Sequence, residues 1–312
     1  MTKRWYSQSP GLLWPLWPLE LTYRAVTRRP LRRPRISPLN PPIVVVGNLT
    51  AGGTGKTPFV IALVEALQAK GIKVGVISRG YGRSTRDLMV LSEKSTAEQV
   101  GDEPLLIYER TRVPVCVASD RMSAYKALKT SVDLIVADDG LQNRDLHRSC
   151  EIVLIDSSKG FGNGHCLPLG PLREPIDRLD TVDFVVDRAD LGGQGLSMVP
   201  RGFCHSVSCE VVDVADMLER YPNIALVSGV AVPERVRADL SALGFKVTLR
   251  AFPDHHRFHG ADFAGLTQPI IVTEKDAVKL RQTAIDYWTY RADLALPEGF
   301  IEKMLNSLRI KP

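Results

Sequence analysis

No two cysteines in this chain are spaced as C-x-x-C. The five present, Cys116, Cys150, Cys166, Cys204 and Cys209, are odd in number. The sequence therefore offers neither a disulfide framework nor a zinc site, and suits a reducing compartment with most thiols buried and free. An unbroken apolar run of about 20 residues, the length a membrane-crossing helix needs, is also missing. The nearest approach, residues 7–23, is cut by Pro15 and Pro18. It fits a signal peptide poorly, because no small-residue cleavage site follows and the arginines lie on its wrong side. Internal repeats and low-complexity segments are absent. Acids are scarce at one end: residues 1–40 hold eight Lys and Arg against Glu20 alone. That segment's net +7 exceeds the whole chain's +5, so the remainder carries −2. The basicity is a local device.

What is present is an ordinary globular composition, 44% hydrophobic and 24% charged over 312 residues. It is enough for one large or two ordinary domains. In residues 7–23, Leu12, Leu13, Trp14, Leu16, Trp17, Leu19, Leu21 and Tyr23 precede the arginine cluster. Such a pairing suits a segment lying in a membrane interface and facing anionic lipid. A helix packed on the domain with a solvated basic tail, or a nucleic-acid arm, are the other readings.

The most informative stretch is Ile43–Lys70. Ile43-Val44-Val45-Val46 reads as a buried strand. Phe59, Leu63, Ala66 and Leu67 then share one helical face, and Gly71 is a suitable stop. Between them lies Gly47-Asn48-Leu49-Thr50-Ala51-Gly52-Gly53-Thr54-Gly55-Lys56-Thr57. Strand, glycine turn, Gly-Lys-Thr and helix together form the context of a phosphate-binding loop. Glycines let the backbone bend and approach a polyphosphate, and the helix N-terminus adds partial positive charge. Residues 50–57 are the candidate nucleotide contacts. Lys56 is expected to reach the terminal phosphates and Thr57 to bind Mg²⁺. One position departs from G-x-x-x-x-G-K-[ST]: Thr50 stands where the first glycine belongs. The bland alternative is a glycine-rich turn with a surface lysine.

Further aliphatic strands are expected at 73–78, 113–118, 132–137 and 151–156, with a helix at 121–129. The strand at 132–137 delivers Asp138-Asp139 at its C-terminal end, where such proteins position Mg²⁺ and where open α/β sheets bind ligands. Arg79-Gly80-Tyr81-Gly82-Arg83 can clamp phosphate or be merely a structural turn. Asp102-Glu103 opens a helix, where acids ordinarily just complement the dipole. The Gly/Pro loop from Gly160 to Pro171 exceeds the usual connection length, which favours a binding loop. Residues 201–222 alternate weakly and read as an inter-lobe linker. A second βαβ unit follows with strands at 224–228 and 247–252 around a helix at 233–243. Another strand is expected at 269–273, a late strand at 288–296 and a closing helix at 299–308.

These motifs in this order resemble the tetraacyldisaccharide 4'-kinase (lipid A 4'-kinase) family of Gram-negative bacteria. The matching stretches are VGNLTAGGTGKTP (46–58), SRGYGR (78–83), GDEP (101–104), DDGLQ (138–142), PLGPLREP (168–175), FPDHHRF (252–258) and TEKDAVK (273–279). The resemblance covers nearly the whole chain, and Thr50 fits it, since the family's loop carries Thr there. It implies a P-loop NTPase-like α/β fold, a mainly parallel sheet flanked by helices, with a second smaller α/β lobe. It implies transfer of the ATP γ-phosphate to the 4' hydroxyl of tetraacyldisaccharide 1-phosphate, making lipid IVA at the cytoplasmic face of the inner membrane, with ATP and Mg²⁺. Carried over by motif, Asp102 is expected to be the base and His255 its partner from the smaller lobe. Thr57, Asp138, Asp139, Gln142 and Glu174 are expected to hold Mg²⁺ or orient nucleotide, and Arg79, Arg121 and Arg173 to bind phosphate or substrate. His256 and His259 are expected to be structural.

The division expected is 1–36 membrane-associating, 37–200 kinase core, 201–222 linker, 223–285 smaller lobe, and 286–312 returning to the core. Expected partners are the lipid disaccharide and an anionic inner-membrane surface, with no nucleic acid and no obligate protein. The competing enzyme reading is a membrane-associated P-loop ATPase or GTPase switch. Such proteins place a lysine just before Gly-Gly, where this chain has Ala51. A nucleic-acid binder would spread basic residues over the folded body, which here sums to −2.

Overall fold

The computed structural model describes residues 2–7, 9–27, 39–188, 196–281 and 283–310. In chain order, α1 (Thr2–Trp5), a 3₁₀ turn (Gly11–Leu16) and α2 (Trp17–Thr27) precede β1 (Ile43–Asn48) and α3 (Lys56–Ala69). Next come β2 (Val74–Ser78), β3 (Met89–Val90), α4 (Ala97–Val100), α5 (Asp102–Thr111), β4 (Val115–Val117) and α6 (Arg121–Leu128). The larger lobe continues with β5 (Leu134–Asp138), β6 (Cys150–Ile155) and β7 (Phe184–Asp187). Its seven strands lie in the order β3-β4-β2-β5-β1-β6-β7. All pair in parallel except β3 with β4.

Alternation along β1 explains the layering. Val44 and Val46 pack with Phe59, Leu63, Leu67, Leu105 and Ile107 on one face. Ile43 and Val45 pack with Ala124, Tyr125, Leu128 and Leu141 on the other. Buried on both sides, a parallel strand reads as a continuous β-branched run rather than an alternating one. α3 stops where expected: Gly71 at φ 78 lets its N–H reach Gln68 O and Ile72 N–H reach Leu67 O.

The smaller lobe holds β8 (Ser197–His205), β9 (Val211–Val212), α7 (Val214–Arg220), β10 (Asn223–Ser228), α8 (Pro233–Ala242), β11 (Lys246–Ala251), β12 (Ile270–Thr273), α9 (Glu274–Leu280) and β13 (Trp288–Ala295). Its sheet runs β11-β10-β12-β13-β8-β9, parallel through β13 and antiparallel beyond. The expected linker at 201–222 is thus corrected: it consists largely of β8, β9 and α7, inside this lobe. Its alternation is weak because β8 is mostly half-exposed, with only Gly202 and Phe203 buried. The C-terminal stretch divides. β13 belongs to the smaller sheet, whereas α10 (Phe300–Leu308) packs on the larger lobe through Met304, Leu305 and the edge of Phe300 against Phe59.

At the N-terminus, Leu12, Trp14, Trp17, Leu19, Leu21 and Val26 are exposed, Leu12 at 79%. No described helix is long and apolar enough to cross a membrane. Arg28, Arg29, Arg32, Arg33 and Arg35, which carry most of the expected basic cluster, lie outside the described residues. Cys116, Cys150 and Cys166 are buried free thiols, Cys204 is half-buried and Cys209 exposed.

β1 approaches the turn after β5 so closely that a Cβ on Gly47 would sit 2.5 Å from Leu141 Cβ. Leu141 is itself fully buried, so neither side can yield cheaply. Gly47→Ala is expected to destabilise the fold by about 1–3 kcal/mol. The check is a lower urea midpoint at unchanged slope.

Candidate active site

The turn from β1 into α3 is an open cradle. Gly55 caps α3 in the left-handed conformation, φ 83, which leaves the first N–H groups of the helix facing outward. Gly52 to Thr57 line a cleft of about 1070 Å³ between the lobes. Thr50 and Ala51, expected to touch nucleotide, do not line it. Ala51 N–H donates to Pro171 O at 2.7 Å, and Thr50 pairs with Leu172. Their backbone is taken by the segment 166–174, which braces the loop from behind.

Lys56 Nζ donates to Asn48 Oδ1 at 3.0 Å and lies 3.5 Å from Asp139. Asp139, at φ 48, also receives a two-pronged contact from Arg173 Nη1 at 3.1 Å to each oxygen. Asp138 ends β5 fully buried. Ser78 Oγ donates to its Oδ2 at 3.3 Å, while Oδ1 has no hydrogen-bond partner, and neither does buried Thr54 Oγ1. Burial, then the neighbouring charges of Glu103 and Asp139, push the Asp138 carboxyl up to about 7. A buried carboxylate oxygen with nothing to bond, beside a Gly-Lys-Thr turn, suits a hard cation. Among the described residues, no three or more His, Cys, Asp or Glu side chains are grouped to hold a metal ion. Mg²⁺ asks for less, since it binds through one or two protein oxygens plus phosphate.

The remaining expected ligands separate. Gln142 lines the cleft and donates through Nε2 to Asn48 O (3.2 Å) and Glu174 Oε1 (2.9 Å). Glu174 does not line it. Its second oxygen accepts from Arg178 Nε at 3.2 Å, so it orients Gln142 rather than facing the cleft. Arg79, Arg121 and Arg173 all line the cleft. Arg121, 3% exposed, donates to Ala118 O, and burial lowers its guanidinium to about 10 despite Asp138 and Asp139.

The opposite wall comes from the smaller lobe. His255 follows β11 on a strained backbone, φ 61, of a kind found at functional sites. Its Nδ1–H donates to both Asp102 oxygens at 3.1 and 3.0 Å. Burial alone would raise Asp102, but the His255 hydrogen bond and the Lys275 charge outweigh it and hold the carboxyl below its ordinary range. The same hydrogen bond lifts His255 above its ordinary value against the pull of burial. Tyr81 lies against the imidazole at 5.1 Å between ring centres. The His255 N–H also donates to Gly229 O (3.2 Å), and Gly229 N–H to the fully buried Asp276 (3.2 Å). His256 and His259 serve the turn itself: the first bonds Asp262 and stacks on Phe252, and the second caps the following 3₁₀ turn.

Several charged groups here escape sequence reasoning. Lys275 Nζ spans the lobes, donating to Glu103 Oε1 at 2.7 Å and Asp254 Oδ1 at 3.3 Å. Arg235 of α8 bonds Asp156 at the end of β6 at 2.9 Å. Arg188 projects against Gly55. Their only sequence signal is position: each stands at or near the end of a strand facing the cleft, and Lys275 lies within TEKDAVK.

A sequence profile of the tetraacyldisaccharide-1-P 4'-kinase family matches residues 12–309. The tetraacyldisaccharide 4'-kinase of Alcanivorax borkumensis is 42% identical, covering 97% of this chain and 95% of that protein. The enzyme of the same name from Azotobacter vinelandii is 40% identical over 97% and 94%, and that of Pseudomonas aeruginosa 41% over 94% and 92%. A crystal structure of LpxK from Aquifex aeolicus in complex with ATP aligns with a TM-score of 0.78, covering 95% of this chain and 99% of that one at 26% identity. This chain belongs to the tetraacyldisaccharide-1-P 4'-kinase family.

Proposed function

We propose that this protein is the kinase that transfers the γ-phosphate of ATP to the 4' hydroxyl of tetraacyldisaccharide 1-phosphate, forming lipid IVA in lipid A biosynthesis. The observation that carries the reading is that His255, paired with Asp102, and the Lys56 loop line one cleft from opposite lobes. A base and a triphosphate cradle facing each other are what transfer to an alcohol requires. Phosphoryl transfer depends mostly on alignment and charge neutralisation.

The residues divide the work as follows. Amides of Gly52 to Lys56 and the Lys56 ammonium grip the β- and γ-phosphates, with Arg79, Arg121 and Arg173 placed to meet transferring charge. Thr57 and Asp138 would hold Mg²⁺, with Asp139 and Gln142 beside them, and the ion bound there would supply neutralisation of phosphate charge. The sugar oxygen forms a bond to the γ-phosphorus as the bridging oxygen–phosphorus bond breaks and ADP leaves. The hydroxyl proton passes to the Asp102–His255 pair. Asp102 is only 6% exposed and both its oxygens face the imidazole, so the hydroxyl meets His255 first and the Asp102 carboxylate stabilises the imidazolium that forms.

Removing Asp102's charge tests this. Asp102→Asn should lower kcat for the disaccharide lipid by about 10²–10⁴, with ATP affinity nearly intact. A near wild-type turnover would show the proton goes elsewhere. The pH profile tests the partner. His255 must be neutral to accept a proton, so kcat should climb as pH rises through its raised pKa, above the ordinary 6.5. The lobe-to-lobe attraction runs the other way: it is complete below the unfolded value and is lost as pH rises through the folded one. His255→Ala should abolish the kinetic limb, and its deficit in melting temperature should be largest below pH 6.5 and shrink in alkali.

A four-chained substrate resides in a bilayer, so the enzyme has to meet it at the surface. We propose the cytoplasmic face of the inner membrane, with the exposed Leu12, Trp14, Trp17 and Leu19 entering the acyl boundary and nearby arginines facing anionic headgroups. Leu12→Glu/Trp17→Glu should weaken co-sedimentation with phosphatidylglycerol vesicles by about tenfold or more and leave ATP binding unchanged. Undiminished co-sedimentation would place the membrane contact on another surface.

A further inference from the structure

Glu20 is the single acid among the first 40 residues, and it is the one buried side chain of α2, at 1% exposure. A carboxylate leaves water only when donors replace the lost hydration. Here Oε1 accepts from Cys166 N–H and Oε2 meets His165 Nδ1, each at 2.9 Å. Trp14 sets its edge against the same imidazole, 5.6 Å between ring centres. Membrane attachment alone gives no reason to bury an acid on the inward side of an interfacial helix.

The segment that Glu20 holds is the brace of the phosphate loop. Downstream of Cys166, Pro171 O accepts the Ala51 N–H at 2.7 Å, Leu172 pairs with Thr50, and Arg173 N–H donates to Leu49 O at 2.6 Å. Arg173 then turns its guanidinium to Asp139. A second link runs from the same helix: Tyr23 OH donates to Arg173 O at 2.9 Å. Glu20 and Tyr23 of α2 therefore hold the segment whose backbone in turn hydrogen-bonds the phosphate loop.

We infer that Glu20 is a positioning residue for phosphoryl transfer: by fixing residues 165–173, it makes α2 part of the ATP site as well as the surface contact. The inference rests on the kinase reading for its catalytic readout, while its ATP-binding readout stands without it. Small displacements of aligned groups cost rate disproportionately, about 10²-fold for 1 Å, so loss of the brace registers in both.

The test uses the full-length chain as wild type, Glu20→Ala, Glu20→Gln and Tyr23→Phe. ATP dissociation constants are read with a fluorescent ATP analogue. The kcat is read on detergent-dispersed disaccharide lipid, where vesicle binding is not limiting, and co-sedimentation with phosphatidylglycerol vesicles is read in parallel. Glu20→Ala should weaken ATP and lower kcat by about tenfold each, with vesicle binding retained. Glu20→Gln, which still accepts from Cys166 N–H, should recover most of both. Tyr23→Phe, a change of one hydroxyl in a folded protein, should lower kcat in the same direction. Vesicle binding lost with ATP affinity and kcat intact would make Glu20 an anchor of α2 only and overturn the inference. So would a Gln variant no better than Ala. A wild-type chain that binds the ATP analogue but leaves the lipid unphosphorylated would sink the kinase reading and leave the ATP-binding arm standing.

Discussion

Asp102 is buried on the larger lobe and finds its principal donor on the smaller one. Taken out of water, a carboxylate must be met by hydrogen bonds or by charge; here His255 supplies the first and Lys275 adds the second. Neither comes from Asp102's own lobe, so the reactive pair exists only while the two bodies are apposed. The rest of the site is arranged around that condition. Lys275 grips Glu103 one residue further on, Arg235 reaches Asp156, and Arg110 of α5 meets Glu274 of α9 at 2.9 Å and Asp293 of β13 at 2.5 Å. Charge pairs of this kind contribute little to net stability once desolvation is counted. They give a unique register between lobes, which alignment-limited chemistry needs.

The larger lobe's negative groups follow a matching logic. Asp138, Asp139 and Glu103 stand within mutual influence, a costly arrangement without cations. Lys56 and Arg173 pair with Asp139, whereas Lys56 and Arg121 act on Asp138 only through space and one of its oxygens has no hydrogen-bond partner. Asp138 Oδ1 and Thr54 Oγ1 are thus left without hydrogen-bond partners beside the phosphate loop.

How far the chain announces all this depends on the range of each signal. The strand, cradle and helix at 43–69 are legible because every determinant is local: β-branched burial, glycine torsions and a helical stripe. Asp138-Asp139 is legible for the same reason, as carboxylates at the end of an aliphatic run. The membership of β8 and β9 in the smaller sheet is not, since β8 pairs with β13 across some 90 residues of chain and β9 joins only through β8. Arg235 and Glu20 are invisible for a related reason. A lone charged residue reads as solvated surface until a partner from a distant segment encloses it, and no local pattern encodes that partner. The separation of Glu174 from the cleft is different: its partner Arg178 is only four residues away, but the motif by itself does not show that the two side chains meet.

The course of the chain after β13 has a consequence for biosynthesis. α10 is translated after the whole smaller lobe, yet Phe300, Met304 and Leu305 join the core of the larger one, with Phe300 against Phe59 of α3 and Phe184 of β7. While the ribosome is still making the smaller lobe, the nascent domain carries an apolar scar along Phe59 and its neighbours that closes only when α10 arrives. Vectorial emergence gives this enzyme no finished N-terminal unit to shelter behind. Its window for chaperone capture or misassembly lasts until α10 has emerged.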